Sequence, residues 1–386
     1  MNSPARIALF GSTGSIGLSA AEVIESSGGT LSTFALSAHR SFEALVELAR
    51  RLSPRFVIAT DADAAGSFDW TRLPPKTELL IGPEALCDVA RDPDVDAVLA
   101  GITGAAGLES VIAAAEAGKR IALANKESLV VAGPLLMRAA ATSGAEILPV
   151  DSEHSAIFQA LQAGKATEVQ RIILTASGGA FRDLPLDELA VVTPEMALNH
   201  PTWDMGPKIT VDSATMMNKA LEIIEARWLF PFDVDQIDVV IHPQSIVHSM
   251  VEYVDGSVMA QLSPPDMRLP IQYALTYPER RPGPAAKLVW AQEFRLDFQP
   301  PDANRYPALQ LGREVARAGG TAGAVLNAVD EAAVQQFLEG RLPFVDIVPV
   351  CRRVVERHAF EAEPSLERLL ELDRWAREEV VKWICS

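Results

Sequence analysis

Apolar residues recur along this chain in two rhythms. Over roughly the first 150 residues, short β-rich runs alternate with stretches of helical periodicity. Arg6–Phe10 predicts a strand, followed by a helix ending near Ser27. Thr30–Leu36 predicts a second strand and Ser41–Arg51 a second helix. Arg55–Ile58, Ala97–Leu99, Arg120–Leu123 and Ala145–Leu148 predict further strands, with helices at Leu108–Ala117 and Pro134–Ser143. Alternation at this spacing predicts an α/β fold with a doubly wound parallel sheet.

The rhythm then changes. Ile172–Thr175, Asp238–Ile241 and Val247–Ser263 predict strands, and Val251–Ala260 reads as a hairpin whose Asp255-Gly256 pair favours a type I′ turn. This region predicts an α+β domain with antiparallel pairs. Pro-rich Arg280–Pro284 and Gln299–Asp302 bracket a connecting segment. Farther on, Leu366, Leu369, Leu372, Ala376, Val380 and Ile384 form one apolar stripe on a charged helix. The expected domains are therefore 1–150, 151–285 and a helical 303–386, with 286–302 as linker.

Composition narrows the function classes. The 386 residues are 48% hydrophobic and 22% charged, the balance of a soluble globular chain. No apolar run approaches the ~18 residues of a membrane helix; the longest candidate, Ile121–Met137, is interrupted by Lys126 and Glu127. The first strand follows the start directly, without signal-peptide architecture, so a cytoplasmic location is expected. A net charge of −17 repels nucleic acid and anionic membrane. An anionic substrate would need positive charge supplied locally. Cys87, Cys351 and Cys385 are too dispersed for a disulfide framework or a zinc site.

Gly11-Ser12-Thr13-Gly14-Ser15-Ile16-Gly17 follows the first strand and opens the first helix. Glycines there permit a tight turn and close approach of a pyrophosphate to the helix N-terminus, as in a Rossmann-like dinucleotide site. The alternative is a turn that only packs helix on strand. The second strand runs into His39-Arg40-Ser41 with no acid to hold a ribose 2′-hydroxyl. Arg40 could pair with a 2′-phosphate, which favours NADP(H) over NAD(H); otherwise it is a solvated residue before a helix N-cap at Ser41.

Asp151-Ser152-Glu153-His154 follows a strand ending at Val150. Carboxylates at i and i+2 of an extended segment point to one side and could share a cation, and an all-carboxylate set suits Mg²⁺ or Mn²⁺. Alternatively Asp151 or Ser152 caps a helix. Ser177-Gly178-Gly179 could offer hydroxyl and N–H groups to a phosphate or be a plain glycine turn. His200–Gly206, with Trp203, has the composition of a mobile lid or of a surface loop. Ser213, Asn218, Lys219 and Glu222 crowd a helical start, where Lys219 and Glu222 share a face and could form a simple ion pair. Asn125-Lys126-Glu127 follows a strand at the carboxyl edge of the sheet, where α/β ligands bind.

Taken in order, these segments resemble one family, the 1-deoxy-D-xylulose-5-phosphate reductoisomerases. The resemblance rests on GSTGSIG at 11–17, ANKESLV at 124–130, PVDSEH at 149–154, SGGAF at 177–181, HPTWDMG at 200–206, VDSATMMNKALE at 211–222, IHPQSIVHSMVE at 241–252 and SPPDMRLPI at 263–271. It implies an NADPH-binding first domain, a catalytic middle domain with a flap at 200–208, a helical third domain and a homodimer. The implied reaction turns 1-deoxy-D-xylulose 5-phosphate into 2-C-methyl-D-erythritol 4-phosphate with NADPH and one Mg²⁺ or Mn²⁺. The implied metal ligands are Asp151, Glu153 and Glu222. Substrate contacts fall on Lys126, Ser152, Glu153, Ser177, His200, Ser213, Asn218, Lys219 and Glu222, with Lys126, Glu153, His200 and Trp203 at the catalytic centre. Cofactor contacts fall on Gly11, Thr13, Gly14, Ser15, Ile16, Asn125, Glu127 and Gly206, and on the divergent His39-Arg40-Ser41. Thr202, Pro207, Val329 and Asp330 also depart from the usual pattern. Two rivals are another NADP-dependent dehydrogenase and a non-catalytic NADPH sensor.

Overall fold

A computed structural model describes residues 3–199, 202–203, 205–291 and 293–384. Seven strands come first: β1 (Ala5–Phe10), β2 (Leu31–Ala38), β3 (Phe56–Ala59), β4 (Glu78–Ile81), β5 (Ala97–Ala100), β6 (Arg120–Leu123) and β7 (Glu146–Pro149). Between them run helices α1 (Ser15–Ser26), α2 (Phe42–Leu52), α3 (Ala62–Gly66), α4 (Glu84–Arg91), α5 (Leu108–Glu116) and α6 (Glu127–Ser143). The strands pair in the order β4-β3-β2-β1-β5-β6-β7, all parallel. The order therefore reverses between β1 and β5, the switch point where such sheets bind ligands. Ile7–Phe10 at its centre are fully buried.

The six predicted strands are all present. The seventh, β4, is a half-exposed edge strand and lacks the continuous apolar run that marked the others. Helix α6 starts before the predicted Pro134, because two helical stretches join across a kink at Ala132 (φ −131°). Pro134 cannot donate the helical hydrogen bond that would keep that turn regular.

The chain continues through α7 (Ser152–Ala160), β8 (Val169–Ala176), α8 (Pro194–Ala197), α9 (Pro207–Thr215), α10 (Met217–Leu229), β9 (Ile237–Ile241), β10 (Val247–Tyr253) and β11 (Val258–Leu262). Helices α11 (Arg268–Thr276), α12 (Pro307–Ala318), α13 (Ala322–Leu338), α14 (Ile347–Arg357) and α15 (Leu366–Ile384) complete it. The second sheet has the order β11-β10-β8-β9. Two of its pairs are antiparallel as predicted, but β8 and β9 run parallel, joined by the α9–α10 crossover.

The β10–β11 turn corrects a second expectation. Gly256 N–H donates to Tyr253 O at 2.9 Å and only Gly256, not Asp255, has positive φ (+85°). A type I′ turn needs positive φ at both central residues; here a type I turn is followed by a left-handed glycine.

The chain forms two compact units. The first comprises residues up to 128, Leu135–Ser155 and Asp266–Ala286; the second comprises Leu129–Pro134, Ala156–Pro265 and residues from 287 onward. In the first, α11 packs on α1, β6 and β7, and Arg268 reaches Glu22 at 2.8 Å. In the second, α10 packs on α12, and α13 on α14 and α15. The α15 stripe buries Leu369, Leu372, Ala376 and Val380. Among the described residues no helix is long and apolar enough to cross a membrane.

Candidate functional site

In the first unit the glycine loop leaves β1 at the switch point. Gly11 has φ +76°, and a Cβ there would lie 2.6 Å from Gly101 O. A Cβ on Gly17 would lie 2.3 Å from Ser12 O. Both positions therefore require glycine for the chain to close on itself. Gly14, the residue that opens α1, differs: its Cβ would meet only Gly11 O, at 3.5 Å, so its exposed face is open to a ligand. Ser12 pins the loop, donating to Leu9 O and accepting Ser37 N–H, each at 2.8 Å. Exposed Ser15 follows, with no acid in the first turn of α1 to repel an anion. This cradle fits the pyrophosphate of a dinucleotide.

At the end of β2, exposed Arg40 donates through Nε to Asp61 Oδ2 at 2.5 Å, and His39 Nδ1 lies 3.1 Å from Thr60 Oγ1. Ser41 precedes α2. The Ala64 N–H, and then Arg40, hold the Asp61 carboxyl below the usual carboxylate range. Sequence inspection finds no acid beside Arg40; the tertiary structure brings one from the end of β3.

Asn125 is buried, and its amide donates to Ile102 O (2.5 Å) and Gly104 O (3.0 Å) while accepting Ser128 N–H (3.1 Å). It ties the start of α6 to the loop after β5. Glu127, two residues on, is also buried. Lys126 Nζ reaches Asp151 Oδ2 at 2.5 Å, across neighbouring strands β6 and β7.

The Asp151–Glu153 segment is not extended, so the i, i+2 argument for a shared side fails. Ser155 N–H donates to Asp151 O, and Ser152 and Glu153 already lie in the first turn of α7. Ser152 Oγ donates to the Glu153 carboxylate. Acids at a helix start are favoured there by the helix dipole.

In the second unit Ser177 follows β8, and its Oγ accepts Gly179 N–H at 3.2 Å. Gly178 and Gly179 both have positive φ, and a Cβ on Gly179 would lie 2.4 Å from Ser213 O. The Ser177 turn thus packs directly against Ser213, near the end of α9. The expected single helical start is two helices, since Met216 (φ +62°) breaks the chain between α9 and α10. Two residues on, Asn218 Nδ2 donates to Glu222 Oε1 at 2.5 Å and Lys219 Nζ to Glu222 Oε2. Lys219 and Glu222 are buried, so both charges are compensated away from water.

His200 lies outside the described residues, as do Pro201 and Asp204. Trp203 sits 6.2 Å, ring to ring, from His248, which contacts Ser263 Oγ at 2.9 Å. Gly206 opens α9. Sequence reasoning missed one charged cluster here: Lys208 and Asp212 of α9 with Asp330 of α13. The i, i+4 spacing of Lys208 and Asp212 is its one sequence signal.

Profiles described as 1-deoxy-D-xylulose 5-phosphate reductoisomerase, its C-terminal domain, and DXP reductoisomerase C-terminal domain match residues 7–133, 147–230 and 262–379. The 1-deoxy-D-xylulose 5-phosphate reductoisomerase of Pseudomonas paraeruginosa is 50% identical over 100% of this chain and 99% of its own. That of Rhodopirellula baltica is 49% identical over 96% and 93%. The solved structure of the Zymomonas mobilis enzyme in complex with NADPH matches with a TM-score of 0.91 at 40% identity, over 99% of each chain. A crystal structure of DOX-P reductoisomerase in complex with NADPH, fosmidomycin and magnesium matches with a TM-score of 0.92 at 40% identity, over 98% of each chain.

Proposed function

The chain belongs to the 1-deoxy-D-xylulose 5-phosphate reductoisomerase family, and on that premise we propose that it rearranges and reduces 1-deoxy-D-xylulose 5-phosphate to 2-C-methyl-D-erythritol 4-phosphate. One observation carries the assignment of residues: the Ser177 turn packs on Ser213, five residues before Asn218 and six before Lys219. Hydroxyl, amide and ammonium groups on these segments are the donors a phosphate would need.

The donor set fits the cofactors. Asp151, Glu153 and Glu222 would hold one Mg²⁺ or Mn²⁺, since three carboxylate oxygens suit a hard cation. The loop at Gly11–Gly17 would hold the NADPH pyrophosphate, and Arg40 its 2′-phosphate. When bound, the cation supplies Lewis-acid polarisation of the substrate's carbonyl and hydroxyl, and NADPH supplies the hydride.

The protein's own residues do the positioning. Ser177, Ser213, Asn218 and Lys219 anchor the phosphate and so fix where the reacting carbons stand. Ser152 and Glu153 face the substrate's hydroxyls from the first turn of α7. Lys126 keeps a positive charge beside Asp151, balancing the carboxylates and stabilising negative charge that develops on the substrate oxygens. His200 and Trp203 cover the carbon chain and exclude water during rearrangement.

The active form we propose is a cytoplasmic homodimer. The edge strand β11 supports the pairing, because its Val258 and Met259 are exposed along an unpaired edge. The test of the function is NADPH oxidation with 1-deoxy-D-xylulose 5-phosphate, with and without Mg²⁺. Metal-dependent turnover is the expected result. Turnover of other aldehydes without metal would replace this reading by a simple dehydrogenase.

A further inference from the structure

Lys208, on the first turn of α9, holds its ammonium between two carboxylates. Its Nζ is 2.6 Å from Asp212 Oδ2 on the same helix and 2.7 Å from Asp330 Oδ2 on α13. Asp330 is fully buried and Asp212 is 1% exposed. Burial pushes the Asp330 carboxyl up and Lys208 opposes it. Buried Cys351 of α14 adjoins the cluster, and its thiol is pushed well up by burial, which makes it unreactive there.

Withdrawing two carboxylates from water, beside a Lys208 side chain that is only 26% exposed, is an inefficient way to stabilise a helix contact; apolar side chains would serve as well or better. A buried ion pair does what apolar packing does not: it fixes register, because a slip of one helix along another leaves charges unpaired. The helix so fixed is α9. Within it Lys208 and Ser213 are five residues apart, about 7–8 Å at ~1.5 Å per residue, and near its end Gly179 abuts the Ser213 carbonyl. A short rigid helix carries any axial shift at Lys208 straight to Ser213.

We propose that Asp330 is a positioning residue for the substrate's phosphate: acting through Lys208, it sets the register of α9 and so the place of Ser213 relative to Ser177, Asn218 and Lys219. This rests on the reading of those four residues as phosphate ligands. Asp330 touches no substrate atom in this arrangement. It determines how well a preformed anion site is assembled, and its effect belongs in the binding of phosphorylated ligands rather than in NADPH binding or the chemical step.

The test compares wild type with Asp330→Asn, Lys208→Gln and the double variant. Asp330→Asn is expected to raise KM for 1-deoxy-D-xylulose 5-phosphate about tenfold, the scale of one charge-assisted contact. The inhibition constant of inorganic phosphate should rise in parallel, with kcat changed less than about threefold and the NADPH Kd unchanged. Because Asp330 acts through Lys208, the double variant should be no worse than Lys208→Gln alone. Unchanged KM and phosphate inhibition in a folded Asp330→Asn protein would overturn the proposal, and so would additive effects in the double variant. Should Asp330→Asn not fold, Lys208→Gln with unaltered phosphate affinity overturns it equally. Phosphate binding measured calorimetrically separates the two readings. A wild type that binds phosphate but does not turn over the sugar phosphate sinks the proposed function alone, while a wild type that binds no phosphate sinks this inference.

Discussion

Lys126 Nζ stands 2.5 Å from Asp151 Oδ2, with each side chain only 12% exposed. The pair joins the residue proposed to stabilise substrate oxygens to a residue proposed to hold the metal. Two roles that sequence resemblance assigns separately are thus electrostatically linked.

The link gives opposite signs for two measurements on Lys126→Gln. Turnover should fall by about 10²–10³, as for loss of a group aimed at developing charge. Apparent Mg²⁺ affinity should hold or improve, since a competing cation beside Asp151 is gone. A metal titration followed by activity reads both. If affinity falls together with turnover, Lys126 serves only to hold Asp151 in place.

Glu222 separates a metalloenzyme from a helix with an ordinary ion pair. Glu222→Gln keeps shape and hydrogen bonding toward Asn218 but removes one charge. It should bind NADPH normally, lose Mg²⁺ affinity, and lose at least ~100-fold in turnover, with partial recovery at high Mn²⁺. Near-normal turnover with an unchanged metal requirement would exclude Glu222 as a ligand.

Glycines 14 and 17 should fail in different ways. Gly17→Ala drives a methyl to 2.3 Å from Ser12 O and should destabilise the fold by roughly 2 kcal/mol or more. Gly14→Ala has room in the protein and should melt normally while weakening NADPH, whose approach it obstructs. Melting curves and NADPH titration of the same preparations distinguish the cases.

Arg40→Asp should weaken NADPH by about 10- to 100-fold and leave NADH nearly unaffected, since NADH carries no 2′-phosphate for Arg40 to hold. The ratio of kcat/KM values for the two cofactors is the measure. An unchanged ratio would leave Arg40 as no more than the partner of Asp61.

Asp266 makes an acid-side prediction. Burial alone would raise its carboxyl, but hydrogen bonds from the Arg268 side chain and from the Ala286 and Arg268 N–H groups outweigh this and hold it below the usual range. A carboxyl lowered in the folded state contributes stability that is present above its unfolded value, near ~3.9, and lost as pH falls through the folded value. Asp266→Asn should therefore lower Tm between pH 5 and 7 (roughly the plateau of that linkage). The difference should shrink as pH falls below about 4, and a pH-independent difference would indicate lost packing instead.

What could be read locally was read from sequence. The β1–loop–α1 unit and the α15 stripe are each written within one window of periodicity and glycine placement, the parallel sheet in the strand–helix alternation of the first part of the chain, and each is present. Partnerships across the chain were not legible, because periodicity says which face is buried but not what meets it. Asp61 reaches Arg40 only through the pairing of β2 with β3, and Lys126 reaches Asp151 only because β6 and β7 end side by side. Gly179 finds Ser213, and Lys208 finds Asp330, through packing of segments many residues apart. Even the Asp255-Gly256 turn, local as it is, was decided by the register that β10 and β11 adopt, which admits one left-handed residue and not two. The sequence by itself determined the elements and the chemistry they carry; tertiary packing decided which charges meet, because ion pairs and close backbone contacts depend on distances that only the folded chain sets.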